Sequence, residues 1–155
     1  MPALREPVFL ALLAVAQSAS WDTPARTWVS TSRRVKLFNE VMPSQQPALF
    51  QAEHDENIAQ VSNMPYKQVW NATWIIYQCT GNDPMAEPTI ENNLILDALF
   101  AAMVPKIQAG VSFDPKRNTL GGLVHHCYID GDIFKDPGDI DKQGMLVVPI
   151  KILVP

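Results

Sequence analysis

Histidine, cysteine and carboxylate side chains gather at three places in this chain, and each place tests a different chemistry. The first is His54-Asp55-Glu56, an imidazole beside two carboxylates, the set needed for a metal site or for general acid–base work. Consecutive residues on a strand or loop rarely converge on one point, so solvated side chains are the expected reading. The second is His125-His126, followed by Asp130 and Asp132. Successive side chains on a strand leave opposite faces, so the two histidines are not expected to bind one ion together. The third is the acidic loop that holds Asp130, Asp132, Asp136, Asp139 and Asp141. A calcium loop begun at Asp139 runs through Asp141, Gln143 and a suitably placed Gly144, but its twelfth position is Ile150, where a bidentate glutamate belongs. Begun at Asp130, it puts Phe134 at a ligand position.

Other chemistries lack their motifs. Gly121-Gly122 precedes an apolar run of strand character, so it does not have the context of a phosphate-binding loop. No nucleophile elbow or activated-cysteine pattern is present. Cys79 and Cys127 fall within expected strands, where free buried thiols pack as small hydrophobes. A bond between them is the alternative and needs an oxidising compartment. The expectation is a protein that is not an enzyme and carries neither metal nor cofactor.

The elements that position these residues follow from pattern. The 155 residues, 47% of them hydrophobic, suit one domain spanning 1–155 with a substantial core. The net charge of −4 argues against wrapping nucleic acid by charge. That charge is uneven: residues 1–38 hold five basic and two acidic side chains, and the remainder holds seven basic and fourteen acidic.

Arg5, the apolar run Val8–Ala16 and Ser18-Ala19-Ser20 have the outline of a secretory leader, but Glu6 cancels the leading charge. An N-terminal helix with Val8, Leu12 and Val15 on one face explains the run better, and the run is too short to span a membrane. Strands are expected near 28–38, 47–54, 66–80, 121–130 and 144–154, with 57–65 an exposed loop. A second helix is expected near 89–104, capped by Thr89, with Ile90, Leu94 and Ala98 on one face, joined by Leu99 and Ala101–Ala102 as the stripe drifts. In the third strand Trp70, Ala72, Trp74 and Ile76 alternate onto one side, which is the core side. Pro149 cannot donate a ladder hydrogen bond, so it marks an edge or a bulge. The fold class is α/β: a mixed, mostly antiparallel sheet of about five strands packed with two main helices. Arg33 and Arg34, expected on opposite faces of the first strand, are either solvated or a subunit contact.

Three blocks, taken in order, resemble a family of tail proteins of long-tailed bacteriophages and prophages, the tail terminators. They are Ser32-Arg33-Arg34-Val35 leading to Gln45-Gln46-Pro47-Ala48-Leu49-Phe50; Ile75-Ile76-Tyr77 followed by Thr80-Gly81-Asn82-Asp83-Pro84; and Thr119–Gly131, with Val147-Val148-Pro149-Ile150 after it. The resemblance implies a small α/β subunit that forms a homo-hexameric ring on the tail tube and ends its polymerisation. The ring then offers a surface to the head-completion or connector protein, at the tail–head junction of the virion after assembly in the host cytoplasm. DNA passes through the lumen without specific binding, and no membrane is involved. The family defines no catalytic residues, so none are carried over.

On this reading Arg33 and Arg34 are candidates for a subunit or partner interface. The loop with Asp130, Asp132, Asp136, Asp139 and Asp141 is a candidate lumen-facing or tube-facing element, with a solvated hairpin loop as its alternative. Head–tail stoppers and tail-completion proteins are similar small rings and stay open as a second placement. A secreted ligand-binding domain, cleaved near Ser20 and closed by a Cys79–Cys127 bond, is a third. A metal-dependent enzyme using His54, His125 or Asp130 is a fourth.

Overall fold

A computed structural model describes residues 3–22, 25–60, 62–64, 67–79, 87–105, 107, 109–110, 114–136 and 143–154. Among the described residues, two α-helices and six strands form a mixed, mostly antiparallel α/β fold. The elements in chain order are α1 (Arg5–Gln17), β1 (Ser30–Ser32), β2 (Ala48–Ala59), β3 (Lys67–Cys79), α2 (Pro88–Ala102), β4 (His126–Ile129), β5 (Phe134–Asp136) and β6 (Gln143–Val154). The strand order is β1-β2-β3-β6-β4, with β5 also pairing with β6. Only β1 runs parallel to its neighbour.

The pairing of β3 with β6 sets the core. Trp70 lies opposite Ile152, Ala72 opposite Ile150, Trp74 opposite Val148 and Ile76 opposite Leu146. All eight side chains are buried on one sheet face. The period-2 alternation of each strand therefore lands in register with that of the other. Val8, Phe9, Leu12, Leu13 and Ala16 of α1 join the same core cluster, as do Ile95, Leu96 and Leu99 of α2. Among the described residues, the opposite sheet face carries a smaller cluster at one end, formed by Val41, Ala48, Phe50 and Tyr77.

Polar pins orient the helices on this core. Gln51, 1% exposed, donates from Nε2 to the Phe9 carbonyl of α1 at 2.9 Å and accepts from Trp74 Nε1 at 3.1 Å. Asn92, fully buried on α2, accepts from Gln78 Nε2 of β3 at 3.0 Å and donates to the Asp136 carbonyl of β5 at 3.1 Å. Each indole N–H has an acceptor: Trp21 bonds Glu91, Trp28 the Ala16 carbonyl and Trp70 the Gln68 amide. Such satisfaction removes the penalty of burying a polar tip with a large ring.

The structure departs from the expected elements in five places. The strand expected at 28–38 is only Ser30–Ser32, because the Ser32 hydroxyl accepts the Arg34 N–H at 2.9 Å and bends the chain away. β2 runs on to Ala59, into the start of the stretch expected to be a loop, and residues 60 and 62–64 beyond it are exposed and outside the strands. The start of the expected strand at 121–130 is a turn. Leu120, Gly121 and Gly122 all have positive φ, and the Thr119 carbonyl receives the N–H groups of Gly122 and Val124, so β4 begins only at His126.

The buried face of α2 centres on Asn92, Ile95, Leu96 and Leu99. Of the expected stripe Leu99 is buried and Leu94, Ala98 and Ala102 pack partly buried against the core, while Ile90 is exposed, and Pro88, not Thr89, opens the helix. The fifth departure is Pro149, which lies inside the sheet. Asp130 donates to its carbonyl at 3.1 Å, so the proline nitrogen, on the same side, faces the gap between β4 and β5. Gly131 fills that gap at φ +116, and a Cβ there would sit 3.2 Å from Pro149 Cγ.

The Gln51 pin predicts a specific cost. Gln51→Leu keeps the volume but leaves the buried Trp74 N–H without an acceptor, and should lower unfolding free energy by about 1–3 kcal/mol. Urea titration followed by tryptophan fluorescence measures it; an unchanged midpoint would show that the pin contributes nothing.

Candidate functional site

His54 and Asp55 lie at a β-bulge, where the register of β2 against β3 shifts between Glu53 and Glu56. The Asn71 amide donates to the Asp55 carbonyl at 2.8 Å and fixes the bulge. Glu56 turns to Arg5, which grips it through Nε at 2.9 and 3.0 Å and through a terminal nitrogen at 2.7 Å. The same guanidinium stands 5.0 Å over the Trp70 ring. The triplet therefore anchors α1 to β2, with Glu56 committed to Arg5.

The second histidine group also spreads out. His125 is exposed and its backbone N–H bonds the Leu153 carbonyl, while His126 is half-buried on β4 and stacks on Tyr128 at 4.7 Å. Asn118 N–H donates to His126 Nδ1 at 3.1 Å, and the Asn118 carbonyl accepts Cys127 N–H at 2.8 Å. Residue 118 thus closes part of the outer edge of β4. Burial lowers the His126 pKa, helped by the Arg117 charge and opposed by Asp114.

Of the acidic loop, Asp130 pairs with Lys151 at 2.9 Å, and Asp132 and Asp136 are exposed. Asp139 and Asp141 lie outside the described residues. Among the described residues no group of three His, Cys, Asp or Glu side chains is placed to hold a metal ion. Arg33 is engaged within the chain by Glu6 of α1 and Glu53 of β2, whereas Arg34 is exposed. Neither cysteine is in a disulfide bond. Cys79 pairs with Gln143 and Cys127 with Ile152, so at ~3.3 Å per residue they lie roughly 30 Å apart along β6. A bond between them within one chain is therefore impossible in this fold, which overturns the disulfide-closed alternative.

One cleft of about 320 Å³ opens beside the start of α2, between Arg26, Cys79 and Leu94. Its Glu91 carboxylate is held by Arg26 at 2.8 Å and by Trp21 Nε1 at 3.1 Å, so these groups serve the fold.

What the structure does bring together are surfaces. The sheet face away from the helices leaves Val69, Thr73, Ile75, Val147, Pro149 and Leu153 half-exposed. At one sheet edge Arg34 and Lys36 stand among exposed Val29, Val35 and Leu37. At the other, Asp132 and Asp136 flank exposed Phe134. The apolar members of these edge groups lie beside exposed charged residues, and only that placement could have drawn attention to them.

No protein-family model matches the chain, and no curated protein matches it. No helix among the described residues is long and apolar enough to cross a membrane.

Two measurements follow from the titrating groups. The folded-state pKa of His126 lies below its unfolded value of about 6.5, so the unfolded chain binds the proton more readily. This contribution to stability is complete above pH 6.5 and is lost as pH falls through that value. Denaturation midpoints should therefore decline between pH 7.5 and 5.5, and His126→Gln should flatten the decline; an unchanged slope contradicts the assignment. Burial pushes the Cys127 thiol up to about 12. Iodoacetamide at pH 8 should leave Cys127 unmodified until denaturant is added, as intact-peptide mass spectrometry would show.

Proposed function

We propose that this chain is a virion assembly subunit of the tail-terminator type. Its work is geometric: a homo-hexameric ring seats on the last ring of the tail tube, ends tube growth and presents its far side to a head-completion protein, at the tail–head junction. DNA passes through the lumen without specific contacts.

The observation that supports this reading best is the two-sided sheet. One face is sealed by α1 and α2, and the other keeps a half-exposed apolar stretch from Val69 to Leu153. A subunit that must pack on several neighbours needs such a surface supported by a rigid core. Parts of the sequence blocks that resemble tail proteins support the same reading, because they hold defined turns and close pairings, while Thr80–Pro84 lies outside the described residues. Thr119–Gly122 forms the turn before β4, Gly131 packs on Pro149, and Gln46 exchanges paired amide hydrogen bonds with Gln143 at 2.9 and 3.0 Å.

The test is tube polymerisation. Purified tail-tube protein assembling in the presence of this chain should give shorter tubes with a distinct capped end in negative-stain images. A tube-length distribution that does not respond to the chain, from substoichiometric amounts to excess, would remove the terminator reading.

A further inference from the structure

The two edges of the sheet are chemically unlike: one carries Arg34 and Lys36, with the nearby Glu40 carboxylate turned to the Leu37 N–H at 2.9 Å, and the other carries Asp132 and Asp136. On one side, the chain leaving β1 carries Arg34 and Lys36, and no carboxylate lies within ion-pair reach of either among the described residues. Around them Val29, Val35 and Leu37 are 59%, 41% and 65% exposed. This segment lies on the face away from the helices, since the Lys36 carbonyl accepts the Tyr77 hydroxyl at 2.7 Å on that face. On the far side of the sheet, Phe134 of β5 pairs with Val147, so it stands on the same face, and it is 55% exposed. Asp132 and Asp136 flank it and are exposed too. The β1 strand has three residues and pairs only with β2, and β5 has three and pairs only with β6, among the described residues.

We infer that these two edges meet each other in neighbouring copies of the chain. The Arg34–Lys36 edge of one copy docks against the Asp132–Asp136 edge of the next, with Val35 and Leu37 covering Phe134. A basic patch does not pair with its own copy across a two-fold axis, and neither does an acidic one, so the charges select a heterologous, head-to-tail contact. Such a contact propagates until rotation closes it. Apolar residues supply area, and the charge pairs set register and exclude edge-to-like-edge docking. The inference deepens the ring reading and rests on it for closure into a finite ring.

The experiment uses two charge reversals in the full chain: Arg34→Glu with Lys36→Glu, and Asp132→Lys with Asp136→Lys. Light scattering at low salt reports the mass. The wild-type chain is expected to be a multimer, and each variant alone should fall to the 17.3 kDa monomer. An equimolar mixture of the two variants should recover the multimer, because each reversed edge then meets its complement on the other variant. A multimer indifferent to both reversals, or a mixture that stays monomeric, overturns the contact.

Covalent trapping covers a wild-type chain that is monomeric at every concentration. A Val35→Cys, Phe134→Cys chain should give disulfide-linked products beyond the dimer on mild oxidation, against the oxidised wild-type chain as control. No such products, or dimers from Val35→Cys alone, would count against it. The two readings fail separately. A chain that multimerises through these edges yet leaves tube length unchanged keeps the contact and loses the terminator role. A chain that caps tubes while both reversals are silent does the opposite.

Discussion

The register between β3 and β6 is the constraint on which the rest depends. These strands are separated by more than sixty residues of sequence, yet their inward side chains alternate in step along the full length of β3 from Gln68. A slip of one residue would carry Trp70, Trp74, Ile150 and Ile152 to the open face together. The chain limits slippage by bulk: Ala72 faces Ile150 between two tryptophans, so large and small side chains interlock. Gly144 fixes the end of the register, because a Cβ there would lie 2.2 Å from the Gln78 amide that reaches over it.

On this platform the helices are oriented by a few buried amides more than by their own amphipathicity. Both helices carry apolar residues on most of their circumference, and exposed Leu10, Ile90 and Phe100 show that hydrophobicity alone does not choose a face. Gln51 chooses for α1 and Asn92 for α2. An amide buried without partners is costly, so only the rotation that satisfies it is retained. Ionic contacts then tie the periphery. Arg33 gathers Glu6 and Glu53, and Arg5 gathers Glu56, each joining α1 to β2.

This division explains what was legible in the sequence. Strands β3 and β6 were read nearly residue for residue, because alternation is a local signal and both have one fully buried face. The inner face of α2 is rotated from the expected stripe towards Asn92, since a count of apolar positions gives no weight to a buried amide whose partner lies on β3. The strand expected at 28–38 failed for a related reason. Val29, Val35 and Leu37 carry strand propensity, but one serine hydroxyl ends the pairing, and the residues that follow serve a surface. Pro149 was expected at an edge, which is the usual place for a residue without an N–H. Its actual setting depends on Gly131, which approaches from a distant loop. Three members of the candidate groups are engaged within the fold: Glu56 with Arg5, Asp130 with Lys151 and His126 with Asn118.

The proline in the middle of β6 has a consequence beyond its fit. β6 is the most apolar strand, and its outer side is shielded by two short, separate neighbours that can fray independently. Were both to lift, a long Val- and Ile-rich ladder would ordinarily be bare and ready to recruit a strand from another molecule. Pro149 divides that ladder into two stretches of a few residues, with a missing donor between them. Neither stretch is long enough to template a continuous added strand. The interruption that lets Gly131 nest in the native fold thus also acts as a guard against misassociation while the chain is being made.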